Sequence, residues 1–158
     1  MAKYRSYKDD EGNKVDFIVF IIHGRSEDWR KVERYINHDL NFRTTVLVED
    51  NIPGNTIIDN FENSMDDCEC AVAIMSPDDK TVDGKYRARQ NVLFEIGYCY
   101  GNLESREDLI ILKESSVEIN SDLHGLIYIP YTQGYIDSTY HKLGQQLEKI
   151  YEEYSDEE

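Results

Sequence analysis

Basic residues are scarce in this chain: 17 Lys and Arg stand against 32 Asp and Glu, for a formal net charge of −15. A phosphate backbone is gripped by clustered Lys and Arg, and no such stripe runs through the sequence, which excludes nucleic acid as a partner. Long apolar runs are lacking too. None approaches the roughly 20 residues that a spanning helix needs, so no membrane segment is expected. The opening MAKYRSYKDDEGNK has no apolar core of a secretion signal. Cysteine is limited to Cys68, Cys70 and Cys99, an odd number without framework spacing. That excludes a disulfide scaffold and fits a reduced, cytoplasmic setting. Cys68-Glu69-Cys70 lacks partners at ligand spacing, so these thiols read as buried side chains and no metal is expected.

What is present is ordinary for one globular domain: 158 residues, 40% hydrophobic, with 12 Tyr and 5 Phe. Short β-branched runs alternate with segments of helical period. FIVFII (17–22), TTVLV (44–48), AVAIM (71–75), LIIL (109–112) and LIYI (126–129) read as five strands. Between them, SEDWRKVERYINHDL places Trp29, Val32, Tyr35, Ile36 and Leu40 near helical spacing, with Ser26 as its cap. A second helix runs from about Thr56 to Asp67, RQNVLFEIGYCYG (89–101) opens a third, and STYHKLGQQLEKIYEEY closes the chain. Continuously apolar strands alternating with helices predict an α/β fold, a five-stranded parallel sheet with helices on both faces. The expected organisation is an N-terminal extension over 1–15, the domain over 16–151, and a fraying acidic tail over 152–158.

In such a fold ligands bind outside the carboxyl ends of the strands, where strand order reverses. HGRS (23–26), EDNIPGN (49–55), SPDD (76–79) and the start of the third helix all fall on that rim. Gly24 permits close backbone approach, the next helix offers free N–H groups, and Arg25 supplies a charge for phosphate. A tight turn with a capping Ser26 accounts for the same residues. On the third helix, Val92, Ile96, Cys99 and Leu103 form the core stripe, and Gly97 and Gly101 leave room for close packing. Glu95 falls at the border, sharing a face with Asn91 and flanked by Phe94 and Tyr98. Two readings compete for it. One is a surface carboxylate stabilised by the helix N-terminus. The other is an acid in a partly desolvated pocket.

The stretches FIVFIIHGRSEDWRKVERYI, EDNIPGNTIIDNFE, AVAIMSPDD, RARQNVLFEIGYCYG and DLHGLIYIPY, in that order over residues 16 to 131, resemble the bacterial TIR-like domains of anti-phage effectors. That family includes the CBASS and Pycsar TIR proteins and TIR-STING fusions. The resemblance implies a flavodoxin-like TIR fold in which the first loop, the BB loop (EDNIPGN) and a third-helix Glu surround NAD⁺ as substrate, with no cofactor. The family's catalytic Glu falls on Glu95. His23, Gly24, Arg25, Ser26 and Gly54 are then expected to hold NAD⁺, with Arg89 near the pyrophosphate. Many TIR enzymes carry an aromatic residue four positions before the Glu; here Asn91 stands there and Phe94 is the nearest substitute. Bacterial members commonly carry Asn at that place.

The implied reaction cleaves the nicotinamide–ribose bond. A positive charge developing about 4 Å from Glu95 would gain roughly 4 kcal/mol at an effective dielectric near 20. Nicotinamide leaves as a neutral amine, so one carboxylate suffices where ordinary glycoside hydrolysis uses two. Assembly into a homo-oligomer through the BB loop and the αC face is expected, together with a fused or separate cyclic-nucleotide sensor. The alternatives are an enzyme making a cyclic or conjugated ADP-ribose, a catalytically silent TIR interaction module, and a nucleoside-processing transferase.

Overall fold

Alternation along the apolar strands decides the layering. In the computed structural model, which describes residues 4–47 and 56–156, the central strand β3 (Ile18–Ile22) is buried along nearly its whole length. Successive side chains of a strand point to opposite faces, so a continuously apolar strand feeds two cores. Val19, Ile21, Val72, Ile74, Ile110 and Leu112 fill one of them. Phe20, Ile22, Ala71, Ala73, Met75 and Ile111 fill the other.

The five parallel strands lie in the order β4 (Arg43–Val46), β3, β5 (Cys70–Met75), β8 (Leu109–Glu114), β9 (Ile129–Tyr131). This is the doubly wound order, and its reversal falls between β3 and β5. Helix α1 (Asp28–Arg34) and the closing helix α4 (Tyr140–Asp156) cover the first core through Val32, Leu143, Leu147 and Ile150. Helices α2 (Ile57–Asp66) and α3 (Gln90–Asn102) cover the second with Phe61 and Met65 and with Val92, Ile96 and Cys99. The fold expected from the sequence is the one observed.

Several boundaries differ, each for a physical reason. Residues 1–15, expected as an extension, include an antiparallel hairpin of β1 (Ser6–Lys8) and β2 (Lys14–Asp16). The two terminal guanidinium nitrogens of Arg5, Nη1 and Nη2, donate to the two carboxylate oxygens of Glu148, and Tyr7 donates to Glu69 at 2.8 Å. The tail also departs from expectation. Helix α4 continues to Asp156, because Tyr154 packs on the first core and donates to the Glu69 carbonyl at 3.3 Å. The fifth strand starts at Ile129 rather than Leu126, leaving Ile127 88% exposed. Pro130 is tolerated there because β9 is an edge strand. The polar segment after β5 holds a short hairpin, β6 (Asp79–Lys80) with β7 (Tyr86–Arg87), turned at Gly84 with φ 85°. After α1 the chain widens into a π-helical stretch over Tyr35–Asp39.

Candidate functional site

The reversal of strand order gathers the first loop, the loop after β5 and the start of α3 at one rim. His23 follows β3 directly, and its ring stacks on Trp29 with centroids 4.5 Å apart and planes 16° apart. Its Nδ1 lies 2.9 Å from the Gly24 carbonyl. The N-cap of α1 is Glu27, not the expected Ser26, and it makes no side-chain cap bond; Ser26 lies one residue earlier, where its Oγ accepts from the Asp28 N–H at 3.3 Å.

The centre of the rim is a carboxylate to which the sequence analysis gave no role. Asp78 Oδ1 accepts from the Arg25 N–H at 3.2 Å and from the Ser76 hydroxyl at 2.8 Å. Its Oδ2 accepts from the Arg89 N–H at 3.3 Å, at the N-cap of α3. A Cβ on Gly24 would collide with Asp78 Oδ2. The close approach that Gly24 permits is therefore made by the chain's own carboxylate. Arg25 is engaged as well, donating to the Asp78 carbonyl at 3.2 Å and pairing with Asp79. The position of SPDD, immediately after the strand beside the reversal point, was the signal available in the sequence.

Helix α3 packs over β3, β5 and β8, which brings Glu95 to the same rim. The stripe of Val92, Ile96 and Cys99 is buried as expected, and Phe94 is 52% exposed on the other side with Asn91 also exposed. Gly97 and Gly101 have nothing within 4 Å of an added Cβ among the described residues, so the close packing expected of them is not made by those residues. Glu95 lies half-buried between these surfaces. Burial pushes its carboxyl up to about 7, opposed by the Arg89 guanidinium. A carboxylate stabilised mainly by the helix N-terminus would move down. Desolvation is the largest influence on this carboxyl, which favours the pocket reading of Glu95. Among the described residues Glu95 makes no hydrogen bond or ion pair.

Gly54 and the rest of EDNIPGN lie outside the described residues. Asp78 ties Gly24 and Arg25 of the first loop to Arg89 at the head of α3, and the Arg89 guanidinium lies close enough to Glu95 to oppose its shift.

Residues 18–133 match the family described as CAP12/Pycsar effector protein, TIR domain. The chain belongs to this family. Among its relatives, the uncharacterized protein YuaY of Escherichia coli is 36% identical over 70% of this chain and 38% of its own length. Protein tirC of Dictyostelium discoideum is 33% identical over 77% of this chain and 68% of its own. The Pycsar effector protein PaPycTIR of Pseudomonas aeruginosa is 32% identical over 65% of this chain and 34% of its own. The chain thus spans little more than a third of YuaY and of PaPycTIR. Among solved structures, the TIR domain of the Toll-related receptor TRR-2 from Hydra magnipapillata superposes with a TM-score of 0.56 at 16% identity, over 84% of this chain and 96% of that one. That likeness establishes the TIR fold.

Proposed function

We propose that this TIR domain is an NAD⁺ glycohydrolase of anti-phage defence, with Glu95 as its catalytic residue. The observation that carries the reading is the half-buried Glu95 carboxyl, without a hydrogen bond or ion pair among the described residues, at the strand-reversal rim of a Pycsar-effector TIR fold. Perturbed acids in such clefts mark functional sites. In the reaction, the bond from ribose C1′ to the nicotinamide nitrogen breaks and its electron pair leaves with nicotinamide. A water then adds to C1′ and releases a proton, giving ADP-ribose. The anionic form of Glu95 faces the positive charge that grows on the ribose, and that interaction is stronger in the transition state than in the ground state. NAD⁺ is consumed as substrate, and no cofactor is called for. His23, Ser26, Asn91, Phe94 and Arg89 border the place where the dinucleotide lies.

The test is incubation with NAD⁺ at high protein concentration, wild type against Glu95→Gln, with products separated by chromatography. Nicotinamide and ADP-ribose are expected from wild type alone; full activity in Glu95→Gln would sink the reading. A cyclic or conjugated ADP-ribose would retain Glu95 as catalytic but change the reaction. Because the free-protein carboxyl titrates near 7, kcat/KM should rise with pH through that region. Below it, kcat/KM should fall by about tenfold per pH unit.

Exposed Ile57 and Ile58 at the head of α2 and Phe94 on α3 favour self-assembly through the face of α3 (the family's αC) together with the BB loop. Specific activity should then climb with protein concentration. A cyclic-nucleotide sensor, fused or separate, is the regulatory partner this function calls for, and the cytoplasm is where it would act. Among the described residues no helix is long and apolar enough to cross a membrane.

A further inference from the structure

Doubly wound folds commonly seat a ligand's phosphate at the reversal point, on backbone N–H groups of the loop after the first strand and of a helix N-terminus. Both sets of donors are present here, and one backbone N–H of each is taken. The Arg25 N–H and the Ser76 hydroxyl reach Asp78 Oδ1 at 3.2 and 2.8 Å, while the Arg89 N–H reaches Oδ2 at 3.3 Å. The second side chain, Asp79, takes the Arg25 guanidinium. Gly24 supplies the space the carboxylate fills, since a Cβ there would strike Asp78 Oδ2. Two oxygens on three donors from three segments is the arrangement of a bound anion, supplied from within the chain.

We propose that Asp78 is a specificity-determining residue, an internal anion that closes the reversal-point cradle to ligand phosphate and locks the first loop onto the head of the helix bearing Glu95. The dinucleotide's diphosphate is thereby refused the cradle and kept on the open side of the rim. This deepens the NAD⁺ reading and rests on it only for the identity of the excluded group. The first loop is fixed at both ends as well, with His23 stacked on Trp29 and Arg25, two residues on, held at both its backbone and its side chain.

The probe is inorganic phosphate, titrated against chloride at constant ionic strength without NAD⁺. Its outcome is therefore independent of whether the domain cleaves anything. In Asp78→Ser the Arg25 and Arg89 amide resonances should shift saturably with phosphate, with binding roughly tenfold or more tighter than in wild type, a difference of about 1.4 kcal/mol. Wild type should leave those two amides still. A shift of the same two amides in wild type, or a folded Asp78→Ser that ignores phosphate, would overturn the proposal. If Asp78→Ser loses its cooperative melt, phosphate should restore it by replacing the missing carboxylate. A variant left unfolded at saturating phosphate also counts against the idea. A purely structural role for Asp78 predicts lost stability and no gained anion response.

Discussion

At the scale of the residue, Glu95 is the place where sequence geometry and electrostatics gave different answers. Spacing placed it on a seam with two readings open, and its raised pKa favours the pocket reading, because desolvation by burial is its largest cause and Arg89 offsets it only in part. The shift also has a thermodynamic sign. The unfolded chain holds this carboxyl near its ordinary 4.5, and the folded chain near 7. Between those values the native state binds the extra proton, so stability from this group falls as pH rises, and the full cost is present above 7. Glu95→Gln should therefore melt above wild type at pH 8, by an amount on the order of 1–3 kcal/mol, with the gap closing towards pH 4.5. Thermal melts of both proteins across that range check it, and equal melts at pH 8 would contradict the assignment. Asp78 teaches the complementary lesson. Its place in SPDD puts it on the rim but does not reveal its role, which depends on two segments that are 53 and 11 residues away along the chain.

Elements were legible in proportion to how local their signals are. The start of α2 is fixed by Thr56, whose side chain accepts from the Asp59 N–H while Asp59 reaches back to the Thr56 N–H, a reciprocal cap readable from four consecutive residues. The fifth strand was misplaced by three residues, because LIYI is as apolar as the segment that pairs. Only the partner strand selects the register, with Leu112 opposite Ile129 and Glu114 opposite Tyr131. The π-helical stretch after α1 has no sequence signature in the apolar spacing, which fits an α-helix equally well. On α3 the glycines make a clean test. Gly97 lies inside the helix with nothing near its missing Cβ. Gly97→Ala should therefore raise stability by about 0.5–1 kcal/mol, through a less flexible unfolded chain. Chemical denaturation of the two proteins gives the number, and a destabilised alanine variant would mean that the helix interior is crowded after all.

For the whole molecule, the N-terminal hairpin is a stabilising strap rather than an appendage. It crosses the amino ends of the strands, with the Arg5 guanidinium 4.2 Å from the Tyr151 ring and the Tyr7 ring 5.4 Å from that of Tyr154. Glu69 is drawn into it, and burial holds that carboxyl above its ordinary range while Tyr7 and the Ile18 N–H donate to it. Removing residues 1–15 strips Tyr7 from Glu69 and Arg5 from Glu148 and uncovers Phe17. A loss on the order of 2–4 kcal/mol is expected. The rim bearing Glu95 is at the opposite ends of the strands, so the lost stability should appear without a change at the Arg25 and Arg89 amides. Melting curves and amide spectra of the shortened chain test both halves of that statement.

The sequence by itself determined the layering, the five strands of the parallel sheet and the meeting of the first loop, the loop after β5 and the start of α3 at one rim. These follow from alternation and helical period, which each segment carries in its own residues. It also carried enough of the TIR pattern, from HGRS to RQNVLFEIG, to point to Glu95. Tertiary structure alone decided what surrounds those residues. Desolvation of Glu95 is a property of packing, the strap is a contact between the chain's two ends, and Asp78 fills the cradle because strand order brings three distant segments together. Burial and long-range pairing are not written in any one window of sequence, since each is a relation between windows that only the folded chain creates.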